Sequence, residues 1–368
     1  MWKSMLTALA LCTSSFASSP LADFALQKVL EDAAPIFGPY AHRSGNRSQW
    51  MKHYPDDTLL VHMNIPGTHD SATWNYTQAS QDALKGITDL TQVTVPVPET
   101  FRCQQLSLIN MLDMGIRAFD LRYAYDPTNT TLIFYHSKAL LSEIATVDDV
   151  LFGFYQWLDD HPSETVFLSL QYESSTSAYA SNDATLQLLL HNILTSPAAR
   201  QYFIQNKDTL GKLGDARGKI NLLRRFDLDK IPQSYTDALP GLHFSPRLWT
   251  DNGRDIELVY NAADNLTAYI EDYYQPLTPM GSDAKENIRW KYNATFVLDL
   301  CIRYKYPNEP PIWPRIMALG NGTEYTPVGG VNQFLVPFLR GQKGKRVGIV
   351  MFDFFDQSSE LIDTFLEL

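Results

Sequence analysis

Cysteine is scarce in this chain. Its 368 residues include three cysteines, Cys12, Cys103 and Cys301, and none of them belongs to a Cys-X-X-Cys pair or a Cys/His cluster. A structural zinc site needs four closely spaced Cys or His ligands, so small zinc-bound folds are excluded. In an oxidising compartment Cys103 and Cys301 either form one disulfide or stay as two buried thiols, and the sequence leaves both open.

Long apolar runs are also missing, because no segment approaches the ~18 apolar residues that a membrane helix needs. The nearest is the short apolar core Met5–Leu11, which follows Lys3 and precedes a series of small residues. This pattern predicts a secretory signal peptide over residues 1–17, with Ala22 as the second choice of cleavage point. We therefore expect a secreted, extracellular protein.

Positive charge is in deficit, with 30 Lys and Arg against 41 Asp and Glu and a formal net charge of −11. Such a chain is not drawn by its charge to nucleic acid or to an anionic bilayer. Contact with lipid would need apolar and aromatic side chains, and Tyr306 and Trp313 in the Pro-rich run 304–314 suit a water–lipid boundary. The alternative is a Pro-rich loop that packs on its own barrel.

Glycosylation sequons are more numerous than chance occurrence suggests. Six Asn-X-Ser/Thr sequons favour a eukaryotic secretory route. They begin at Asn46, Asn75, Asn129, Asn265, Asn293 and Asn321.

No Gly/Ser linker, repeat or low-complexity run marks a domain boundary, and strand-like and helical patterns alternate along the chain. This alternation predicts a single parallel α/β barrel over residues 58–368, preceded by an N-terminal extension over 18–57. Strand patterns occur at 59–65, 116–122, 131–136, 165–171, 219–226, 294–302 and 346–353, and helical patterns near 103–114, 147–160, 184–194, 282–291, 331–340 and 358–367.

The most informative motif is Asn64-Ile65-Pro66-Gly67-Thr68-His69-Asp70-Ser71. An apolar run ends at Pro66-Gly67, which predicts a break, and a titratable His-Asp pair follows it. Chemistry in α/β folds is placed on turns just beyond the carboxyl ends of strands. His69 and Asp70 are therefore candidate catalytic residues.

A second polar element follows about fifty residues later. Asp120 and Arg122 lie in one strand pattern and share a face, so Asp120 can position Arg122, and His136 ends the next pattern. Two imidazoles and a guanidinium suit phosphodiester cleavage, because one His removes a proton, the other donates one and Arg neutralises the phosphoryl charge. The alternative for His136 is a core histidine with satisfied hydrogen bonds.

Six short motifs make the chain resemble the phosphatidylinositol-specific phospholipase C X-domain family, in its bacterial-type branch, over residues 58 to 356. We expect a secreted, eukaryotic, fungal-like member. The motifs are Pro66-Gly67-Thr68-His69-Asp70-Ser71, Phe119-Asp120-Leu121-Arg122, Pro162-Ser163-Glu164-Thr165-Val166, Leu213-Gly214-Asp215-Ala216-Arg217-Gly218-Lys219-Ile220, Leu222-Leu223-Arg224-Arg225-Phe226 and Trp249-Thr250-Asp251-Asn252.

The resemblance implies a distorted, incompletely closed TIM barrel and a role for each site residue. His69 matches the general base, His136 the general acid and Arg122 the phosphate-binding guanidinium. Asp70 matches the carboxylate that accompanies the acid, and Asp353 the one that orients the base. The positions that match inositol-holding residues are Arg225, Asp272 and Tyr274.

Two positions depart from the family pattern. Gln171 stands where bacterial members carry a Lys that contacts inositol, and Ser137 stands where a Gly usually follows the acid. Gln171 puts the affinity for the head group in doubt. Neither change removes a proton-transfer group.

The resemblance implies an enzyme that cleaves phosphatidylinositol, or glycosylated inositol anchors, to diacylglycerol and inositol 1,2-cyclic phosphate. The calcium-dependent branch has an acid where this chain has Arg122, so we expect no metal and no other cofactor. We also expect transient membrane contact, no nucleic-acid partner and a monomer. Two alternatives are a metal-dependent glycerophosphodiesterase-like or sphingomyelinase-like barrel enzyme, and a catalytically silent lipid-binding protein.

Overall fold

The computed structural model describes residues 19–90, 94–173, 181–207, 209–243, 291–292, 313–322, 328–344 and 348–368. Several sequence predictions lie outside these ranges and stay predictions. They are the signal peptide, the strand at 294–302, the helix at 282–290, the sequons at Asn265 and Asn293, and the residues Cys301, Asp272, Tyr274 and Tyr306.

Most of the described strands form a parallel sheet. The strands are β1 (Ile65–Thr68), β2 (Ala118–Tyr125), β3 (Leu132–His136), β4 (Ala139–Leu140), β5 (Thr165–Tyr172), β6 (Lys219–Arg225), β7 (Leu242–His243), β8 (Lys291–Tyr292) and β9 (Ile349–Phe352). The parallel sheet has the order β7-β6-β5-β2-β1-β9-β8, and each neighbouring pair in it is parallel.

The last strand, β9, pairs with the first, β1, which is the return that makes a barrel. No ladder joins β7 to β8 among the described residues, so the sheet seen there is incompletely closed. The antiparallel pairing of β3 with β2 was not anticipated, since the alternating pattern predicts a parallel barrel. β3 turns back along β2 because six residues separate them, too few for the crossover that parallel strands require.

Helices alternate with the strands. They are α1 (Pro20–Phe37), α2 (Gln78–Ala83), α3 (Lys85–Leu90), α4 (Leu108–Asp113), α5 (Val147–Asp160), α6 (Ala184–Leu194), α7 (Pro197–Tyr202), α8 (Leu213–Ala216), α9 (Gln233–Ala238), α10 (Pro314–Leu319), α11 (Gly330–Arg340) and α12 (Leu361–Leu366). None of the helices in the described ranges combines the length and apolarity of a membrane span.

Helix α5 has the bounds predicted from the sequence, 147–160, because both its start signal and its apolar face are present in the pattern. Thr146 and Asp149 form a reciprocal capping box at its start. Phe154 and Trp157 lie on its buried face with helical spacing. Its Gly153 admits the ring of Phe37 from α1, because a Cβ at that position would stand 2.7 Å from the ring. Residues of the predicted N-terminal extension thus pack on the barrel, while the domain boundaries stay predictions.

The prediction for the first strand, residues 59–65, was wrong in its bounds. The chain from Leu60 to His62 is a 3₁₀ turn, and the strand runs through Pro66 and Gly67 instead of breaking there. Gly67 allows this because a Cβ there would lie 2.3 Å from Sδ of Met351 and 2.9 Å from Cβ of Ala118. The strand therefore ends immediately before His69.

Two helix predictions were also wrong at their ends. The helix predicted near 103–114 begins only at Leu108, because residues 103 and 104 bond to other parts of the fold. The helix predicted near 282–291 cannot include Lys291, which pairs with Val350 as part of β8.

Candidate active site

His69 lies between two carboxylates. It follows β1 directly, and its Nδ1 is 3.1 Å from Oδ1 of Asp353, the residue that follows β9. Its Nε2 is 2.9 Å from Oδ2 of Asp70. Because Asp353 is fully buried, its contact keeps a proton on Nδ1 and directs Nε2 toward the other ionic groups.

Asp70 joins the two histidines. Its Oδ2 is 3.2 Å from Nε2 of His136 and thus contacts the imidazoles of both histidines. The backbone of Asp70 is left-handed, with φ 40°, and this conformation turns its side chain back between the rings. The ring centroids of His69 and His136 are 6.3 Å apart. Two potential proton-transfer groups therefore face a common region.

His136 reaches this region from the end of β3. Its Nδ1 is 2.7 Å from the carbonyl oxygen of Phe101, which fixes the proton on Nδ1. The ring of Phe101 packs edge-on against it at 5.5 Å between centroids. The Nε2 atom is consequently the one that can exchange a proton with a ligand, and 16% of the side chain is exposed.

Arg122 supplies positive charge at the same place. Its Nε is 2.8 Å from Oδ1 of Asp70, and its Nη2 donates to Oδ2 of Asp120 at 3.1 Å. Its Nη1 is 3.4 Å from Oε2 of Glu173. The contact with Asp120 agrees with the shared strand face that the sequence predicts. Three carboxylates fix the plane of the guanidinium.

Arg122, Gln171 and Arg225 form a row across β2, β5 and β6, since the strand register pairs each with the next. Arg225 is buried and donates to the second oxygen of Asp120 at 3.0 Å. The Oε1 atom of Gln171 is buried and accepts no hydrogen bond from any described residue. The structure thus brings together the predicted substrate-binding residues Gln171 and Arg225.

The pKa of His69 is raised well above its ordinary value. Burial alone would lower this pKa, but the negative charges of Asp70 and Asp353 outweigh that effect. Burial would likewise raise the pKa of Asp70, yet the guanidinium of Arg122 and the two histidines hold it well below its usual range. Asp70 is therefore held as an anion by the cations around it.

Nε2 of His69 contacts two groups that make opposite demands. Nη2 of Arg122 lies 3.0 Å away and needs a lone pair on this nitrogen, whereas Oδ2 of Asp70 favours a proton there. The two contacts correspond to the neutral and protonated imidazole. A general base must pass through both states, and the surroundings of His69 accommodate each.

Within the described ranges, three overlapping groups of side chains have the spacing of metal ligands, with ligand atoms within 4.8 Å of one another. Burial raises the pKa of the Cys103 thiol, so binding a metal there would first require the loss of a strongly held proton. Arg122 already forms ion pairs with two acids of the third group. The groups are His69, Cys103 and Asp353; Asp70, Cys103 and His136; and His69, Asp70 and Asp120.

Trp313, the predicted lipid contact within the described residues, is the N-cap residue of α10, without a hydrogen bond from its side chain to the helix. Its side chain is partly buried, and its indole Nε1 is buried. Cys103 is buried and has a free thiol. Its position beside the histidines was not anticipated.

Besides Cys103, sequence reasoning missed two buried residues at the site, Glu173 and Gln104. Glu173 contacts Arg122, and its spacing of two from Gln171 could have placed it on the same face. Gln104 donates to the carbonyl oxygen of His69 at 2.7 Å. No periodic pattern could have found Gln104, because it lies outside every helix and strand.

Residues 99–226 match the family model described as phosphatidylinositol-specific phospholipase C, X domain. This match includes Arg122, His136 and Arg225, whereas His69 and Asp353 lie outside it. The other half of the site is thus contributed by β1 and β9, on either side of the matched segment.

Curated relatives include bacterial and animal proteins. A 1-phosphatidylinositol phosphodiesterase of Listeria monocytogenes is 35% identical over 181 residues, which are 48% of this chain and 48% of that protein. The mouse PI-PLC X domain-containing protein 1 is 33% identical over 152 residues, which are 38% of this chain and 41% of that protein. The chain therefore spans less than half the length of these two relatives.

Solved structures share the fold at low identity. The phosphatidylinositol-specific phospholipase C of L. monocytogenes has a TM-score of 0.54 and 21% identity, and covers 87% of this chain and 97% of its own. A structure of the Staphylococcus aureus enzyme has a TM-score of 0.58 and 14% identity, with the same coverage of 87% and 97%. The predicted fold, a distorted and incompletely closed α/β barrel, is thereby confirmed. Over residues 99–226 the chain is thus similar to the phosphatidylinositol-specific phospholipase C X domain, and bacterial enzymes are among the proteins that it resembles.

Proposed function

We propose that the protein is a secreted phosphodiesterase that cleaves phosphatidylinositol to diacylglycerol and inositol 1,2-cyclic phosphate. Its catalysis uses a pair of histidines and no metal ion. One observation carries the proposal: Oδ2 of Asp70 lies 2.9 Å from Nε2 of His69 and 3.2 Å from Nε2 of His136, while Oδ1 binds Arg122 at 2.8 Å. A base, an acid and a fixed cation surround one position.

The proposed reaction is an internal transfer of the phosphoryl group. Nε2 of His69 removes the proton of the inositol 2-hydroxyl, and that oxygen forms a bond to phosphorus. The bond from phosphorus to the glycerol oxygen breaks, and Nε2 of His136 delivers a proton to this oxygen. Arg122 balances the charge that develops on the phosphoryl oxygens. Because the nucleophile belongs to the substrate, little entropy is lost in the attack.

The relatives support this substrate class by name. The protein of L. monocytogenes and one of S. aureus are both named 1-phosphatidylinositol phosphodiesterase. A solved structure of the S. aureus enzyme concerns its membrane binding. The side-chain oxygen of Gln171, which accepts no hydrogen bond from the part of the chain that the structure describes, also suits a hydroxyl-rich ring, because an inositol hydroxyl can donate to it.

Secretion and lipid contact belong to the same proposal. The four sequon asparagines among the described residues are all exposed, which suits glycan attachment during secretion. They are Asn46, Asn75, Asn129 and Asn321.

We propose that Trp313 and Tyr306 contact the lipid surface. The contact with the membrane is transient, and the protein that makes it is a monomer. Replacement of Trp313 by Ala should weaken binding to neutral vesicles more than it slows cleavage of a soluble short-chain substrate. Equal losses in the two assays would place the ring in the fold instead.

The deciding experiment compares two histidine variants. His136→Ala should abolish most turnover of phosphatidylinositol, by about 10²–10⁴-fold, with little change in melting temperature. The matched control is His161→Ala, since His161 is buried and binds the carbonyl oxygens of Trp157 and Arg43. That variant should lose stability and keep turnover per folded molecule. Near-normal turnover in His136→Ala would refute the assignment of the acid.

The substrate itself needs a direct comparison. Purified protein should be incubated in excess chelator with phosphatidylinositol and, separately, with a glycosylated inositol anchor. Release of diacylglycerol from one of them identifies the preferred class. Binding of both without turnover would favour the silent lipid-binding alternative.

A metal-dependent phosphodiesterase is the second candidate. It is favoured by the spacing of His69, Asp70 and Asp120, whose ligand atoms lie within 4.8 Å of one another. The positive charge of Arg122 between the two acids opposes a cation there. Activity that vanishes in chelator and returns with calcium would select this candidate.

A further inference from the structure

Left-handed backbone marks the three turns that follow His69, His136 and Asp353. Asp70, Ser137 and Phe354 have φ of 40°, 50° and 47°. Each directly follows a catalytic candidate, namely His69, His136 and Asp353. The fourth non-glycine residue with positive φ in the described ranges is Asn129, in the β2–β3 hairpin loop. Left-handed backbone costs about 1–2 kcal/mol for most residues, so other contacts must hold these turns.

One short segment, residues 101–104, supports all three turns. The carbonyl oxygen of Phe101 binds His136, and that of Cys103 accepts from the backbone N–H of Phe354 at 3.1 Å. The N–H of Cys103 donates to Oγ1 of Thr73 at 2.9 Å, and this hydroxyl donates to the carbonyl oxygen of Asp70 at 2.7 Å. We call residues 101–104 the support segment.

The side chain of Gln104 completes the set of contacts. It is fully buried, and its Nε2 donates to the carbonyl oxygens of His69 at 2.7 Å and Phe352 at 2.8 Å. The same nitrogen is 3.4 Å from Oδ1 of Asp353. The backbone ladder between β1 and β9 ends with the N–H of His69, which donates to Phe352 at 3.2 Å. The side-chain amide of Gln104 therefore links the ends of β1 and β9 immediately beyond their last backbone hydrogen bond.

We propose that Gln104 is a positioning residue, which fixes the base His69 against its carboxylate partner Asp353 through the backbone of both strand ends. The proposal rests on the proposed function. An amide is suited to this role because its two hydrogens bind two carbonyl oxygens that point at one position. A carboxylate would repel them, and an apolar side chain would remove one donor from each of these two buried carbonyl oxygens, so that Phe352 would keep only the N–H of His69.

Loss of the amide should act on the chemical step. Gln104 does not face the ligand region, so the substrate KM should change little. Loosening of the His69–Asp353 contact by a fraction of an ångström should lower kcat by about 10–100-fold. It should also weaken the effect of Asp353 on the imidazole. Asp70, Cys103, Arg122 and His136 face the same ring and are unchanged in this variant.

The test compares Gln104→Met with a matched control, Gln187→Met. Gln187 is also fully buried, and its amide binds Asn182 and Asp229 on the side of the barrel formed by α6. Both variants lose one buried amide, and both should lose stability. Only Gln104→Met should lower kcat at constant KM and shift the NMR titration of His69 to lower pH. Gln104→Asn keeps the amide but shortens it, so it should fall between wild type and Gln104→Met, and it serves if the Met variant does not fold.

Two outcomes would overturn the proposal. One is an unchanged His69 titration in a folded Gln104 variant, and the other is an equal shift in both Met variants. If the wild-type protein does not cleave phosphatidylinositol at all, the proposed function fails. The titration of His69 still decides whether Gln104 positions the imidazole.

Discussion

Arg122 contacts Asp70 through Nε at 2.8 Å, on the carboxylate whose other oxygen faces both histidines. This one pairing connects the permanent charge of the site to its proton-transfer groups. It also explains why Asp70 stays ionised although only 2% of it is exposed.

Arg122 should contribute strongly to the rate. Arg122→Ala should lower kcat by about 10²–10³-fold, as for loss of one charge-stabilising donor. Arg122→Lys should recover only part, because an ammonium cannot reproduce the planar fork held by Asp70, Asp120 and Glu173. The control is Arg340→Ala, which removes an exposed guanidinium paired with Glu360 and should leave kcat unchanged. Full activity in Arg122→Lys would mean that point charge alone suffices.

The pH dependence of kcat/KM should reflect His69. Its pKa in the free protein is raised above 6.5, so the neutral base is lost as pH falls through that raised value. The acidic limb of the profile should therefore lie above pH 6.5 and move to lower pH in Asp353→Asn, as far as residual activity allows. A limb below 6.5 in the wild type would contradict the assignment of His69 as base.

The pKa shifts of His69 and Asp70 together define the pH range in which the protein is most stable. The pKa of His69 is raised above 6.5 on folding, so its contribution is complete below that pH and lost as pH rises through the folded value. The pKa of Asp70 is lowered from 3.8, so its contribution is present above 3.8 and lost as pH falls toward the folded value. Urea unfolding should show both losses in the wild type, and the alkaline loss should shrink in His69→Gln.

Ser137 should be a site of stabilisation. Its left-handed backbone, φ 50°, costs a serine about 1–2 kcal/mol, and glycine avoids this cost while losing about 0.5–1 kcal/mol through its freer unfolded chain. Ser137→Gly should raise the free energy of unfolding by up to about 1 kcal/mol, and Ser137→Val should lower it. Urea titration of the two variants checks the sign. A stabilising Val would show that the turn is not strained.

The buried pair Arg117–Glu164 should support the fold and not the chemistry. Both side chains are fully buried, with Nη2 and Oε2 at 2.7 Å, and the guanidinium lies 4.7 Å from the ring centroid of Trp157. Glu164→Gln should lower the free energy of unfolding by about 3–5 kcal/mol, because an unpaired charge stays buried. The exposed pair Arg340–Glu360 gives the control, since Glu360→Gln should change stability by less than about 1 kcal/mol. Loss of turnover per folded Glu164→Gln molecule would show that the pair also affects the site.

The sequence predicts the site residues better than it predicts the local backbone that holds them. His69, Arg122 and His136 could be found because polar residues at strand ends interrupt an apolar pattern. The bounds of β1 could not be predicted. Gly67 lies inside the strand because Met351 and Ala118 on the two neighbouring strands leave no room for a side chain there, and these contacts appear only in the folded protein.

The role of Gln104 and the left-handed turns could not be predicted from the sequence for a similar reason. Their role depends on carbonyl groups brought together from β1 and β9, which are separated by most of the chain. Glu173 lies between these extremes. Its spacing from Gln171 carried a signal, but only the pairing of β5 with β2 shows that its carboxylate reaches Arg122.

The most direct test of metal-independent His/His catalysis is a ³¹P NMR time course of phosphatidylinositol cleavage by the wild-type protein in excess chelator. Inositol 1,2-cyclic phosphate should appear first, together with diacylglycerol, and open inositol 1-phosphate should accumulate only later, which is the order that internal attack by the 2-hydroxyl produces. Open phosphate as the sole product from the earliest points, or no turnover until calcium is added, would contradict this mechanism.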